Sequence, residues 1–153
     1  SFNLCLNEKD NLHLIVIGDG PLKTKLINQA QNLNITKKVS FLGKRNDAKL
    51  WYSAADFFVS SSKREGFGLA LIEAIACKIP VVSTCEGIVS KFPKNLLNFA
   101  KTMNNKSLSE IMLKAIEKDS KEKKKMSDLV YEFVKKNFSL NEIALNWLKI
   151  YLK

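Results

Sequence analysis

Leu12-His13-Leu14-Ile15-Val16-Ile17-Gly18-Asp19-Gly20-Pro21 is the stretch that decides the fold class of this chain. Its first six residues form a short apolar run rich in β-branched side chains, and the glycines and the proline end it. Proline at a first helical position then opens a helix over 22–33, where Leu22, Leu26, Ala30 and Leu33 repeat at helical spacing. The same alternation recurs downstream. Val39-Ser40-Phe41-Leu42 reads as a second strand closed by Gly43, and Asn46 or Asp47 can cap a helix running to about Ala55. The buried face of that helix is expected to carry Leu50, Trp51 and Ala54. Phe57 to Ser60 is a third strand, 67–78 a further helix and Pro80-Val81-Val82-Ser83 a fourth strand. Strands alternating with helices through such short connections predict an α/β fold, with a parallel sheet covered on both faces.

Beyond residue 87 the pattern becomes mostly helical. Leu96 to Phe99 reads as a brief strand, and Ser107…Glu110 and Ser139…Glu142 both match a capping box, so helices are expected to start there. Between them Met126, Leu129, Val130, Phe133 and Val134 make an apolar stripe suited to core packing, with a membrane surface as the other use of such a stripe beside lysines. No repeat or low-complexity segment divides the chain. The expected organisation is a single domain over 1–153, with a Rossmann-like core at about 12–100 and a helical tail at about 107–152.

With 46% hydrophobic and 26% charged residues, this is an ordinary globular composition rather than a disordered one. Cys5, Cys77 and Cys85 form no CxxC pair and read as reduced core residues of a cytoplasmic protein. No run reaches the roughly 18 apolar residues of a membrane span. The chain opens at Ser1 without an initiator methionine, which reads as a piece of something longer. The net charge of +10 invites an anionic partner, but no basic tail or arm stands apart, so a nucleic-acid role is not expected.

Two acids draw attention, Glu65 beside Gly66 and Gly68, and Glu73 inside an apolar helix. Eight helical steps would separate their backbones by about 12 Å, awkward for two carboxylates sharing one proton and suited to two that reach different parts of one extended ligand. Helix amides between them would attract an anion, phosphate above all. Leu69 to Cys77 leaves almost no polar face, so the helix is expected to be buried nearly all round, with Glu73 needing a hydrogen-bond donor. That donor is a lysine or a backbone amide on the structural reading, and a sugar hydroxyl on the functional one. Glu65 lies where a strand hands over to a helix, at the carboxyl edge where ligands bind in parallel sheets. His13, the only histidine, reads as structural, and Lys63 and Arg64 as a solvated loop. No His/Cys/Asp cluster has metal-ligand spacing, and Gly18-Asp19-Gly20 is neither a Walker A loop nor a full dinucleotide fingerprint.

In order and spacing, Gly18-Asp19-Gly20-Pro21-Leu22, Val39 to Gly43, Ala54 to Val59, Glu65-Gly66-Phe67-Gly68 through Glu73-Ala74, and Ile79 to Thr84 resemble the C-terminal, donor-binding domain of retaining glycosyltransferases of family 4. The resemblance covers about residues 12–87 and implies one half of a two-domain GT-B fold. It implies that Glu73 hydrogen-bonds the nucleotide ribose and that Glu65 contacts the transferred sugar near the reacting centre. Gly66, Phe67, Gly68 and Leu69 would bring backbone amides to the sugar hydroxyls and diphosphate. Gly43, Lys44 and Arg45 would hold the base, with Arg45 able to stack on it, and Gly18 and Gly20 would line the same cleft. The implied chemistry moves a hexosyl group from a nucleotide-diphosphate sugar, UDP-linked or other, to an acceptor hydroxyl with retention. Amides and cations would stabilise the leaving group, with no metal and no cofactor.

The family's upstream strand and loop, with the arginine and lysine that grip the diphosphate, have no counterpart here, and neither does its N-terminal acceptor domain. Cys85-Glu86-Gly87 stands where a Gly-Gly pair is common, and Ser61 where proline is frequent. The expectation is therefore a fragment that binds donor weakly and catalyses nothing alone. It would belong to an enzyme of glycan, lipopolysaccharide or glycolipid synthesis that is cytoplasmic and peripheral at the inner face of an anionic membrane. The alternative is a non-catalytic nucleotide- or polyanion-binding module on the same fold.

Overall fold

The computed structural model describes residues 1–153 except 64, 85–89, 94, 95, 97, 101–103 and 153. Its elements follow in the order α1 (Phe2–Glu8), β1 (Leu14–Ile17), α2 (Lys23–Asn32), a 3-10 turn (Thr36–Lys38), β2 (Val39–Gly43), α3 (Ala48–Ala54) and β3 (Phe58–Ser60). They continue with α4 (Leu69–Ala76), β4 (Val81–Thr84), β5 (Asn98–Ala100), α5 (Asn105–Glu117), α6 (Ser120–Phe138) and α7 (Leu140–Tyr151). Every strand pairing is parallel, and each strand read from the sequence is present within a residue or two.

The sheet is not one continuous ladder. Among the described residues β1 pairs only with β2, Leu14 opposite Val39, while β3, β4 and β5 form a separate three-stranded ladder. Burial follows this division. All four residues of β4, the central strand of its ladder, are buried, whereas Ile15 and Ile17 of β1 remain 42% and 37% exposed. The parallel sheet with its helices is thus present as expected, and the face of β1 that carries Ile15 and Ile17 is its more open part.

Two apolar clusters hold the larger ladder. On one side Leu71, Ala74 and Ile75 of α4 meet Ile79, Val81, Phe92, and Val130 and Val134 of α6. On the other, Val82 and Ala100 pack with Cys5 of α1 and with Leu108, Met112 and Ala115 of α5. Val130 and Val134 confirm the stripe of α6 as core, although Leu129 points outward. Helix α1, which has no sequence signature, owes its place to Cys5, whose thiol donates to the Ser109 carbonyl at 3.7 Å and is pushed up in pKa by burial.

Caps differ in detail from the sequence expectation. The Asn104 side chain accepts from the Ser107 N–H at 2.7 Å, so α5 begins ahead of Ser107 and that serine lies inside the helix. Asp119 caps α6, and Ser139 caps α7 as expected, accepting from the Glu142 N–H. Helix α7 has no buried residue, and Leu140, Trp147 and Leu152 all stand in the open. Among the described residues no helix is long and apolar enough to cross a membrane.

Candidate functional site

Gly18, just past β1, and Gly43, the last residue of β2, both have positive φ, at 131° and 68°, which glycine adopts without the Cβ clash of other residues. The Gly18 N–H donates to the Gly43 carbonyl at 2.8 Å, so the two loops leave the carboxyl edge together. Gly20 lies in the turn beyond, open on its Cβ side, and its N–H donates to the Asp19 carboxylate. Asp19 also pairs with Lys23 at 3.1 Å, and this contact holds its carboxyl below the usual range. Lys23 Nζ stands 3.6 Å from where a Cβ of Gly43 would lie. The local signal for Lys23 in the sequence is its spacing of four from Asp19 at the start of a helix.

Lys44 is exposed beside Gly43. Arg45 is occupied within its own loop: its guanidinium donates twice to Asp47, at 2.8 and 2.7 Å, and lies 5.7 Å from the centre of the Trp51 ring. The pairing raises the Arg45 pKa and lowers that of Asp47. Helix α3 itself turns differently from the expected face. Leu50 is 67% exposed and Ala54 is exposed, while Trp51 and Tyr52 are half-buried.

The third loop follows β3. Thr84 at the end of β4 donates its hydroxyl to the Ser62 carbonyl at 2.7 Å, anchoring the segment that leads to Glu65. Lys63, Glu65 and Gly66 are exposed, and a Cβ on Gly66 would meet nothing within 4 Å. The Phe67 ring packs edge-on against Phe138 at the end of α6, with centroids 6.1 Å apart. Gly68, buried and with φ at 79°, is the N-cap of α4, and its carbonyl accepts from the N–H groups of Leu71 and Ile72. Helix α4 thus starts at Leu69, later than expected, and the segment from Glu65 to Gly68 is not helical. The two acids are consequently not separated by eight helical steps; only Leu69 to Glu73 is helical, a rise of about 6 Å.

Helix α4 is not buried all round either. Leu71, Ala74 and Ile75 face the core, while Leu69 (67% exposed), Ala70, Glu73 and Ala76 form an open face. Leu69 and Glu73, four apart, lie one above the other on that face. With the Leu71 and Ile72 amides bonded to the Gly68 carbonyl, the amides of Leu69 and Ala70 are the ones without an intrahelical acceptor at this end. Glu73 does have a protein donor, and it is neither a lysine nor an amide. The Tyr52 phenol of α3 donates to its Oε2 at 3.2 Å. Burial, and then the nearby carboxylate, push the Tyr52 pKa up to about 12. Sequence reasoning missed Tyr52, because 21 residues separate the partners and no local pattern joins them.

His13 lies just ahead of β1 and shares a 2.9 Å hydrogen bond between its Nε2 and the Ser40 hydroxyl, as a structural residue would. Arg64 and Cys85-Glu86-Gly87 lie outside the described residues.

Comparison with known proteins accords with this arrangement. The family model "Glycosyl transferases group 1" matches residues 2–132. The alpha-monoglucosyldiacylglycerol synthase of Streptococcus pneumoniae is 44% identical over 80 residues, which is 51% of this chain and 18% of that protein. In fold, the chain superposes on Anabaena Alr3699/HepE crystallised with UDP at a TM-score of 0.85 and 22% identity, covering 97% of this chain and 43% of that one. It also superposes on the C-terminal domain of the Francisella tularensis group 1 glycosyl transferase LpcC, with a TM-score of 0.75 and 24% identity over 90% of this chain and 75% of that one. The chain thus spans less than half of HepE and far less of the synthase, and its α/β architecture is that of a GT-B half. It belongs to the group 1 glycosyl transferases.

Proposed function

We propose that this chain is the nucleotide-sugar donor-binding part of a retaining glycosyltransferase of family 4. The whole enzyme would move a hexosyl group from a nucleotide-diphosphate sugar to an acceptor hydroxyl in glycan, lipopolysaccharide or glycolipid synthesis. One observation carries the reading: Glu73 stands on the open face of α4, above Leu69 and the first-turn amides, with its carboxylate held by a neighbouring side chain. A carboxylate offered this way suits ribose hydroxyls, and helix amides suit a diphosphate. Exposed Gly66, with open space at its Cβ position, lets a sugar approach the backbone closely, and exposed Glu65 stands next to it. Lys23 and Lys44 add positive charge beside Gly43. A UDP complex of a protein of this fold and a glucosyl-diacylglycerol synthase among the relatives support the same substrate class. The acceptor, and any contact with an anionic membrane, belong to the whole protein.

Titration of the chain with UDP, GDP and ADP by calorimetry, alongside Glu73→Ala, tests the proposal. Saturable binding of one nucleotide, weakened at least about 10-fold by the substitution, is the expected result, since a hydrogen bond to a charged group contributes about 1.5–3 kcal/mol. Binding that ignores the base, falls steeply with salt and survives Glu73→Ala would instead identify a polyanion module.

A further inference from the structure

Helix α3 packs against α4 and touches two parts of the candidate site at once. Its N-terminal end carries Asp47, held by Arg45 from the loop after β2, and its middle carries Tyr52. The Tyr52 ring is seated edge-on against Phe58 of β3, with centroids 5.7 Å apart and planes at 74°, and it packs on the core cluster around Ile75. A ring fixed this way gives its hydroxyl little freedom. That hydroxyl reaches Glu73 Oε2, and among the described residues the exposed Glu73 carboxylate has no other hydrogen-bond partner, which leaves Oε1 available to a ligand.

We infer that Tyr52 is a positioning residue for donor binding: its phenol holds one oxygen of the Glu73 carboxylate and presents the other to a ribose hydroxyl of a nucleoside diphosphate. The inference rests on the donor-site reading above and goes beyond it, because it assigns the orientation of Glu73 to a side chain from a different helix. An exposed glutamate samples several rotamers, and selecting one on binding costs conformational entropy. A partner that fixes the rotamer beforehand removes that cost from the binding step. The phenol, with its pKa pushed upward, remains a donor throughout the neutral range. It leaves room for the ribose hydroxyl as a second donor, because the carboxylate has a second oxygen and two lone pairs on each.

The experiment compares UDP with 2′-deoxy-UDP and 3′-deoxy-UDP on the 153-residue chain, with Tyr52→Phe and Glu73→Gln as variants. Tyr52→Phe keeps the ring on Phe58 and removes only the hydroxyl, and thermal melting verifies that each variant is folded. The chain itself should prefer UDP to at least one deoxy analogue. Tyr52→Phe should weaken UDP about 3- to 10-fold, the range of one immobilised rotamer, and leave that deoxy analogue nearly unaffected. A residue that merely supports packing would weaken all three ligands alike, and that result overturns the inference. If Glu73→Gln abolishes the ribose preference while Tyr52→Phe preserves it, Tyr52 does not position Glu73 and the donor-site reading stands. If the unmodified chain shows no preference, or binds no UDP, the ribose reading fails and the inference with it.

A second measurement covers the case of an unfolded Tyr52→Phe. The chain has three tyrosines, so labelling with 3-fluorotyrosine gives three fluorine resonances. The Tyr52 signal should move with Glu73→Gln and on saturation with UDP, and respond less to the deoxy analogue. A Tyr52 signal that saturating UDP leaves in place counts against the inference.

Discussion

The backbone N–H of Gly18 donates to the carbonyl of Gly43 at 2.8 Å, joining the ends of β1 and β2 at their last ladder pair, Ile17 with Gly43. This single bond makes the glycine turns after the two strands one surface, and it depends on backbone torsions that residues with a Cβ adopt only at a cost.

Substitution of Gly43 should therefore be costly and that of Gly20 should not. Gly43→Ala, at φ 68°, is expected to lose about 1–2 kcal/mol of stability. Gly20 has open space around its Cβ position and no positive φ, so Gly20→Ala should leave stability unchanged or raise it by about 0.4–1 kcal/mol. Urea unfolding of the two variants separates these outcomes.

Core packing sets the largest mutational effect. Ile75 is 1% exposed between α4 and the strands, and Ile75→Ala should cost about 2–5 kcal/mol. Leu148 on α7 is exposed, and Leu148→Ala should change stability by no more than about 0.5 kcal/mol. Thermal melts of this chain would show a large drop for the first and almost none for the second.

The Tyr52 phenol gives a pH signature at the alkaline end. Its pKa is raised from 10.0 to about 12 in the folded chain, so the neutral phenol is favoured by folding. The associated stability is present in full below pH 10 and is lost as pH rises through about 12. Difference absorbance between the chain and Tyr52→Phe should show this phenol titrating above its ordinary value. Glu73→Gln should bring the value down but not to 10.0, because burial is the larger cause.

Lys78, just past the end of α4, pairs with Asp128 of α6 at 2.9 Å, and the ammonium also sits 4.6 Å over the Tyr131 ring. Both side chains are about half exposed, so Asp128→Asn should cost less than about 1 kcal/mol. The loss should shrink in high salt, which a pair of melts with and without salt would record.

Much of the architecture is written locally. Gly18 to Pro21 marks a strand end and a helix start, Gly43 closes β2, and the Val130 and Val134 stripe specifies a helix face, because glycine torsions, proline geometry and 3.6-residue periodicity act over a few residues. The acids Glu65 and Glu73 and the glycines around them could be singled out for the same reason. What the sequence by itself could not decide depends on which element lies beside which. An apolar helix reads as wholly buried from composition, yet α4 exposes Leu69 and Glu73, because neighbours cover only the side bearing Leu71, Ala74 and Ile75. Arg45 is free to stack on a base until Asp47 and Trp51 are seen to engage it. Tyr52 and Glu73, 21 residues apart on separate helices, meet only once α3 is laid against α4. Local chemistry determined the elements and nominated the acids. Tertiary packing alone decided which face of α4 stays open and which residue holds its carboxylate, since long-range contacts leave no periodic trace along the chain.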